Sequence, residues 1–308
     1  MKKHNTWSLS FDKLRNRTIL DLPIILFLLF SLFSCKSVQT GHPVNAPDLL
    51  SNTKNFYISI PSDVDPDLIK FIIKNNIQNI SESDVEEIVS RVDRAYAGLN
   101  ADNKNPEIEL AIDSNIPVKY IPKILTQKNG WNIIEHIGLM SNSKYSIYTQ
   151  NEIPIAFPSD KITLIGDGVD IMLDKYDTIH YLPADSFEDT TFTTLDELTY
   201  SWITESASEI RFITNKPETF LLMLTGQKLT LQLNTVRGTF VCDPKNDNQY
   251  ILDFIFDFKN EKAAKAGKVM LGFAFGLADG EDNSLKPTEV KIEGIKLSKK
   301  QLYDILSL

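Results

Sequence analysis

The chain has 308 residues, of which 42% are hydrophobic and 24% are charged, so its composition is that of a globular protein with one large or two modest domains. Five of the 32 basic residues and two of the 41 acidic residues precede Cys35, so residues 35–308 hold 27 and 39 of them and carry a net charge of −12. No basic stripe interleaved with aromatic residues interrupts this acidity, which excludes nucleic acid as a partner. Cys35 and Cys242 are the two cysteines, so if Cys35 is modified, Cys242 has no partner within the chain and no disulfide framework is expected.

Residues 1–34 have the three zones of a secretory signal. A basic, polar start precedes an apolar run from Leu22 to Phe33, and Ser34 follows. The apolar run is about a dozen residues long, whereas a helix needs about 20 residues to cross a bilayer core. We therefore predict a cleaved signal peptide over 1–34. The alternatives are a signal anchor or a plain secretory signal followed by an incidental cysteine.

Leu32-Phe33-Ser34-Cys35 resembles a bacterial lipobox, in which an aliphatic residue, a small residue and Gly, Ala or Ser precede an obligatory cysteine. Phe33 departs from this pattern, although the lipoboxes of spirochaetes are looser at that position. The resemblance implies that the Cys35 sulfur receives diacylglycerol and that the signal is then cut before Cys35. Two or three acyl chains hold a protein stably on a membrane, whereas a single chain is marginal. Lys36 follows the cysteine, which permits delivery to an outer membrane.

Residues 35–54 are predicted to form a flexible tether, because they lack a sustained hydrophobic period and contain Gly41, Pro43 and Pro47. Residues 55–176 are predicted to form a first α+β module. Four helices are expected in it. The first begins at Pro66 with Asp65 as its cap, and the second follows the cap Ser81. The other two are Pro117 to Leu125 and Val169 to Tyr176. Its expected strands are Phe56 to Ile60, Arg94 to Asn100, Glu107 to Asp113, a run after Trp131, Tyr145 to Tyr148, Ile153 to Phe157 and Lys161 to Ile165.

Residues 177–208 are rich in Thr, Asp and Glu and are predicted to be the linker before a second module over 209–308. Four helices and strands are expected early in that module: Ile210 to Thr214, the helix Pro217 to Leu224, and the strands Leu229 to Val241 and Tyr250 to Phe258. The pattern then predicts a helix Glu261 to Ala266, strands Val269 to Leu277 and Glu289 to Ile292, and a helix Ser298 to Leu306.

The fold class predicted from this order is α+β, with two modules that each have a mostly antiparallel sheet and helices packed on one face. A faint duplication is compatible with it, because Pro106 to Leu125 and Pro287 to Leu306 both read as a strand followed by a short helix. Chance similarity between two strand and helix pairs is the alternative. The layout, including the segment Val92 to Leu99, resembles uncharacterised bacterial lipoproteins of the spirochaete (treponemal) type. That resemblance implies an envelope location and no activity.

Few residues suggest chemistry. His136 and His180 lack metal-ligand neighbours at helical spacing, and neither a His-Glu-x-x-His nor a Cys-x-x-Cys pattern occurs. Gly166-Asp167-Gly168 lacks the third glycine of a dinucleotide-binding loop and is interpreted as a turn. Ser141 to Lys144 matches the Ser-x-x-Lys pattern of penicillin-binding enzymes, but the partner motifs are missing. We therefore predict no catalytic residues and no cofactor.

Acidic and aromatic groups leave alternatives open. Asp65 and its acidic neighbours are explained by helix capping, and the hairpin tips near Asp243 and Asp279 could chelate calcium but also suit turns, so no metal site is predicted. Cys242 is expected to be a small, half-buried hydrophobe. Five phenylalanines recur at two-residue spacing in two groups, which is typical of a sheet core, although they could instead line an apolar groove; they are Phe254, Phe256 and Phe258, and Phe273 and Phe275.

These observations predict an exported lipoprotein held on a membrane by lipid on Cys35, with a non-enzymatic binding or scaffold role in the cell envelope. Its expected partners are that membrane and either an envelope protein or an apolar ligand. One alternative is an envelope hydrolase that uses paired carboxylates. Another is a carrier that holds an apolar ligand between the two modules.

Overall fold

A computed structural model describes residues 41–76, 81–100, 107–150, 152–182, 192–205, 208–226, 228–275 and 286–306. Its helices are α1 Pro66–Asn76, α2 Glu82–Val89, α3 Ile121–Ile124, α4 Val169–Tyr181, α5 Glu197–Thr204, α6 Pro217–Thr225, α7 Glu261–Phe275 and α8 Lys299–Leu306. The strands are β1 Phe56–Pro61, β2 Val92–Leu99, β3 Ile108–Ser114, β4 Asn132–Ile137, β5 Lys144–Gln150, β6 Ile153–Ser159, β7 Ile162–Gly166, β8 Ile210–Thr214, β9 Leu233–Asp243, β10 Asn246–Phe258 and β11 Glu289–Ser298.

Within the described residues, the eleven strands form a single antiparallel sheet in the order β11-β10-β9-β8-β1-β2-β3-β7-β6-β5-β4. The prediction of two separate sheets is corrected at its centre, where β1 pairs with β2 on one side and with β8 on the other. The first strands of the two predicted modules are therefore direct neighbours, with Phe56 opposite Thr214. Pairing them removes two sheet edges whose backbone groups would otherwise need another partner. The duplication stays a prediction.

The helices pack on both faces of the sheet, which corrects the expectation of helices on one face. All six residues of β1 are buried, so both faces of this strand are covered. Phe56 and Ile58 belong to the core on one side, together with residues of α1, α2, α6, α7 and α8. Tyr57 belongs to the core on the other side, together with residues of α4 and α5. A period of two along a strand sends alternate side chains to opposite faces, and here each face has its own apolar layer.

Local sequence signals position most helix starts. Asp65 caps α1 by accepting hydrogen bonds from the backbone N–H groups of Asp67 and Leu68 at 3.1 and 3.2 Å. Ser81 caps α2 by accepting from the N–H of Asp84. Both caps confirm the predicted helix starts, because a side-chain oxygen at this position satisfies one or two of the backbone donors that a helix leaves unpaired.

The strand predicted over Val269 to Leu277 is wrong for the part that the structure describes, because α7 continues without a break to Phe275. Ala264, Gly267 and Leu271 are its buried residues, a spacing of three and four that follows the helical period. Gly267 lies against the ring of Phe258, so the helix packs very close to β10. Phe273 and Phe275 are spaced by two, as residues on one face of a strand are. The segment is nevertheless a helix, because Ala264 and Gly267 are buried together with Leu271 at helical spacing.

The predicted tether and the predicted linker both contain regular structure. From His42 onward the predicted tether folds onto the body, with a 3-10 turn at Ala46–Leu49 whose four residues are all buried. Within the predicted linker 177–208, α4 extends to Tyr181 and α5 occupies Glu197–Thr204. Apolar residues of both segments join the core on the α4 side of the sheet. No helix in the described part of the chain is both long enough and apolar enough to span a bilayer.

Candidate membrane-facing surface

The segment of residues 41–55 attaches the amino-terminal side of the chain to the body. The N–H of His42 donates to the carbonyl oxygen of His180 at 3.0 Å, and the Nδ1 of His180 lies 3.0 Å from the carbonyl oxygen of His42. Leu49 and Leu50 are fully buried. Because Lys175 donates to the carbonyl oxygen of Leu50, α4 holds this segment at two places along its length.

Buried charges strengthen this attachment. Glu109 on β3 accepts hydrogen bonds from the N–H and the hydroxyl of Ser51, both at 2.8 Å, and lies 3.5 Å from the ammonium of Lys54. Burial lowers the pKa of Lys175. Burial and the nearby Asp48 raise the pKa of Tyr200 to about 12. The segment is therefore held by hydrogen bonds and an ion pair as well as by apolar contact.

Asp177 on α4 fixes the turn between β4 and β5, which we call the hairpin tip and define as residues 138–143. Its carboxylate is fully buried and accepts from the N–H groups of Met140 and Ser141 at 2.7 and 3.0 Å, from the Ser141 hydroxyl, and from the Tyr145 hydroxyl at 2.8 Å. Burial acts to raise the pKa of Asp177, but the hydrogen bonds from Ser141, Met140 and Tyr145 outweigh it, so the pKa lies below its ordinary value. Asp177 thus adds four hydrogen bonds to those that the tip makes within itself, such as the one from the N–H of Gly138 to the carbonyl oxygen of Ser143.

The hairpin tip exposes apolar side chains. Leu139 is 71% exposed and Met140 51% exposed, and Tyr181, which follows Asp177 by one helical turn on α4, is 38% exposed. Gly, Asn, Asp and Ser are the usual residues of turns, and a large apolar pair at a turn is uncommon. We name Leu139, Met140 and Tyr181 the apolar tip surface. The sequence signal that could have identified it is the apolar pair between Gly138 and Ser141-Asn142-Ser143.

A second exposed apolar surface lies on α7. Phe273 is 83% exposed, Val269 59% and Met270 41%, and the spacings of four and three from Val269 and Met270 to Phe273 place them on one side of the helix. The opposite side, with Ala264, Gly267 and Leu271, is buried. The helix is therefore apolar on its buried side and also on part of its outward side.

The two histidines and the cysteine considered in the sequence have contacts within the fold. The Nε2 of His136 lies 2.8 Å from a carboxylate oxygen of Asp174 on α4, and the His180 ring stacks on Tyr176. Cys242 is half-buried, and its thiol lies 3.4 Å from the carbonyl oxygen of Val64. Burial raises the pKa of Cys242. Cys35 and the tip near Asp279 lie outside the described residues.

Each motif considered for catalysis has a structural role. Ser141 donates its hydroxyl to Asp177, while Lys144 pairs with Glu135, so the Ser-x-x-Lys match does not form a nucleophile and base pair. Gly166 and Gly168 have φ values of +99° and +77°, as expected for a turn. The rings of Phe254, Phe256 and Phe258 are buried in the core, so this part of the aromatic series does not line a groove.

The buried carboxylates are each engaged by a donor or a cation. Glu289 lies 2.9 Å from Arg237, Asp243 lies 3.3 Å from Lys296, and Asp65 accepts from the Tyr250 hydroxyl and pairs with Lys299 at 3.1 Å. Burial and Asp65 raise the pKa of Tyr250. No group of three or more residues suited to a metal ion occurs among the described residues. These acidic groups join secondary-structure elements together.

Comparison with known proteins decides the family. Residues 41–303 match the family model described as "Outer membrane-associated lipoprotein TP0453". The chain belongs to this family. Its place is accordingly the cell envelope, and the expected treponemal-type lipoprotein is confirmed. The match begins at Gly41, where the described structure also begins. No curated protein matches the chain.

Solved structures of TP0453 share the fold. Crystal form I has a TM-score of 0.61 at 17% identity, over 86% of this chain and 97% of that one. Crystal form III has a TM-score of 0.58 at 16% identity and form IV 0.56 at 15%, each over 86% of this chain and 98% of that one. The α+β class with a large antiparallel sheet is therefore confirmed.

Proposed function

We propose that the mature protein begins at Cys35, carries lipid on that cysteine, and serves as a non-enzymatic binding or scaffold protein on an envelope membrane. The observation that supports this most directly is the match of residues 41–303 to a family described as an outer membrane-associated lipoprotein. Residues 41–55, which begin six residues after Cys35, are also attached to α4 and β3. A lipid at Cys35 would be joined to a fixed point on the body, so the body would stay beside the membrane. The family's description as outer membrane-associated supports an outer-membrane setting.

The engaged carboxylates support the non-enzymatic part of the proposal. Acid and base catalysis by carboxyl groups needs two of them to face one substrate space, about 5 to 10 Å apart for glycosidic chemistry. Glu109, Asp177 and Glu289 instead turn their oxygens to neighbouring elements of the fold. The binding partner, either an envelope protein or an apolar ligand, would contact an exposed surface of the body.

Metabolic labelling with radioactive palmitate tests the anchor. The wild-type chain and a Cys242→Ala variant should incorporate label, and Cys35→Ala should incorporate none, because without that sulfur no diacylglycerol can be attached and the signal would not be cut to expose an amino group for further acylation. Equal labelling of wild type and Cys35→Ala would refute the anchor. Incubation of the purified lipidated protein with cell-wall sacculi, followed by mass spectrometry of the soluble fraction, tests the non-enzymatic role. Protein-dependent release of wall fragments would refute that part.

A further inference from the structure

The chain leaves the folded body at the end of α4. His42 is bound there through two backbone and side-chain contacts with His180. Seven peptide units separate His42 from Cys35. A fully extended chain advances about 3.3 to 3.6 Å per residue, so Cys35 lies within about 25 Å of His42 whatever conformation the intervening residues adopt. A lipid on Cys35 therefore keeps the last turn of α4 close to the bilayer.

The apolar tip surface borders this point of exit. Tyr181 is adjacent to His180 in the last turn of α4, and their rings meet edge to face at 4.8 Å. Asp177, one turn earlier, binds the N–H of Met140 at 2.7 Å, which places Leu139 and Met140 beside the same end of the helix. The end of α4 is therefore both within about 25 Å of Cys35 along the chain and next to the apolar tip surface.

The chemistry of this surface suits a lipid headgroup region. Residues 137–143 contain no charged side chain, whereas residues 35–308 carry a net charge of −12, so the tip avoids the repulsion that the acidic body meets at an anionic surface. Leu and Met supply apolar area, and Tyr has an apolar ring with a polar end, a combination enriched at membrane interfaces. The bonds to Asp177 hold the turn in place, while the side chains of Leu139 and Met140 remain exposed.

We infer that the apolar tip surface, Leu139 and Met140 with Tyr181 beside them, enters the headgroup region of the bilayer that holds the lipid on Cys35. This inference rests on the proposed anchor. It gives the body an orientation, because the end of the β4 and β5 hairpin faces the membrane. A second copy of the chain on the same surface is the competing occupant that the experiment identifies, whereas a surface reserved for a partner protein would leave the probe at position 140 exposed to water.

The test uses full-length lipidated protein in phosphatidylcholine vesicles, with Cys242→Ser to remove the other thiol. A Met140→Cys substitution carries an environment-sensitive NBD fluorophore. The matched control is Leu222→Cys on α6, because Leu222 is 46% exposed, close to the 51% of Met140, and α6 packs on the other face of the sheet. Doxyl-labelled phosphatidylcholine serves as the quencher. We expect a blue-shifted spectrum and at least about two-fold stronger quenching at position 140 than at 222.

Four other outcomes would count against the inference. A chain that floats with the vesicles but keeps a water-exposed probe at position 140 overturns the inference and leaves the anchor intact. A chain that does not float overturns both. Quenching that is equal at positions 140 and 222 also contradicts the stated orientation. A blue shift at position 140 that disappears when the chain is diluted tenfold in lipid identifies a second copy as the occupant and overturns contact with the bilayer.

Discussion

Gly138 and Asp177 lie in direct contact, and a Cβ built on Gly138 would be 2.4 Å from the Cγ of Asp177. No side chain fits there unless the hairpin tip moves away from the carboxylate that holds it. Gly138→Ala should therefore lower the free energy of unfolding by about 1 to 3 kcal/mol, as overpacking does. Urea denaturation followed by the fluorescence of Trp131 and Trp202 measures it. Asn132→Ala, at an exposed position of the neighbouring strand β4, should change stability by less than about 0.5 kcal/mol.

Asp177 should make stability depend on acid pH. Its pKa is lowered in the folded protein, so its contribution is present above the unfolded value, about 3.9 for Asp, and is lost as the pH falls through the folded pKa. Asp177→Asn removes the charge at every pH and should cost about 1 to 3 kcal/mol at pH 7. The difference in unfolding free energy between wild type and Asp177→Asn should shrink when urea titrations are repeated below pH 3.9. A difference that stays constant would contradict the assigned role.

Leu271 and Phe273 distinguish the helix from the strand that the sequence suggested. On a strand the two side chains would share a face, but on α7 Leu271 is fully buried and Phe273 is 83% exposed. Leu271→Ala should therefore cost about 2 to 5 kcal/mol. Phe273→Ser should change stability by less than about 0.5 kcal/mol. Thermal or urea unfolding of both variants measures this. Similar losses in the two variants would argue for the strand.

Glu109 should contribute far more to the free energy of unfolding than an acidic residue on the surface does. Lys54 and Glu109 are both nearly inaccessible, with their charged groups 3.5 Å apart, and Glu109 also binds Ser51. Glu109→Ala leaves the buried Lys54 with only the more exposed Glu107, so we expect a loss of about 3 to 5 kcal/mol. The control is Glu87→Ala, whose partner Arg91 is on the surface, with an expected loss of no more than about 1 kcal/mol. Restored stability in a Lys54→Met, Glu109→Leu double variant would confirm that the unpaired charge causes the loss.

Local chemistry allowed much of the secondary structure to be predicted. Asp65 and Ser81 predict helix starts, because their short polar side chains accept hydrogen bonds from the free backbone N–H groups of the first turn. The pairing of β2 with β3 agrees with the alternation of Ile108, Leu110 and Ile112. The α7 prediction failed because Phe273 and Phe275 are spaced by two and outweighed the helical spacing of the smaller residues before them.

The candidate surface could be predicted only in part. The lipobox residues before Cys35 are a local pattern and predict an anchor. The apolar tip surface depends on Asp177, which lies 37 residues beyond Met140 in the chain and within the predicted linker. Asp177 accepts several hydrogen bonds from the hairpin because α4 packs on it. No pattern among neighbouring residues of the sequence predicts that contact.

The sequence by itself determined the acidic body, the positions of most helices and strands, and the cysteine that is the expected site of the lipid. These features depend on composition and on short periods, which act between near neighbours along the chain. The tertiary structure alone decided that one sheet joins both halves, that helices cover both of its faces, and that residues 41–55 are bound to α4. The physical reason is that strand pairing and apolar burial select partners by the free energy of the whole fold. β1 therefore has β8 as a neighbour more than 150 residues away.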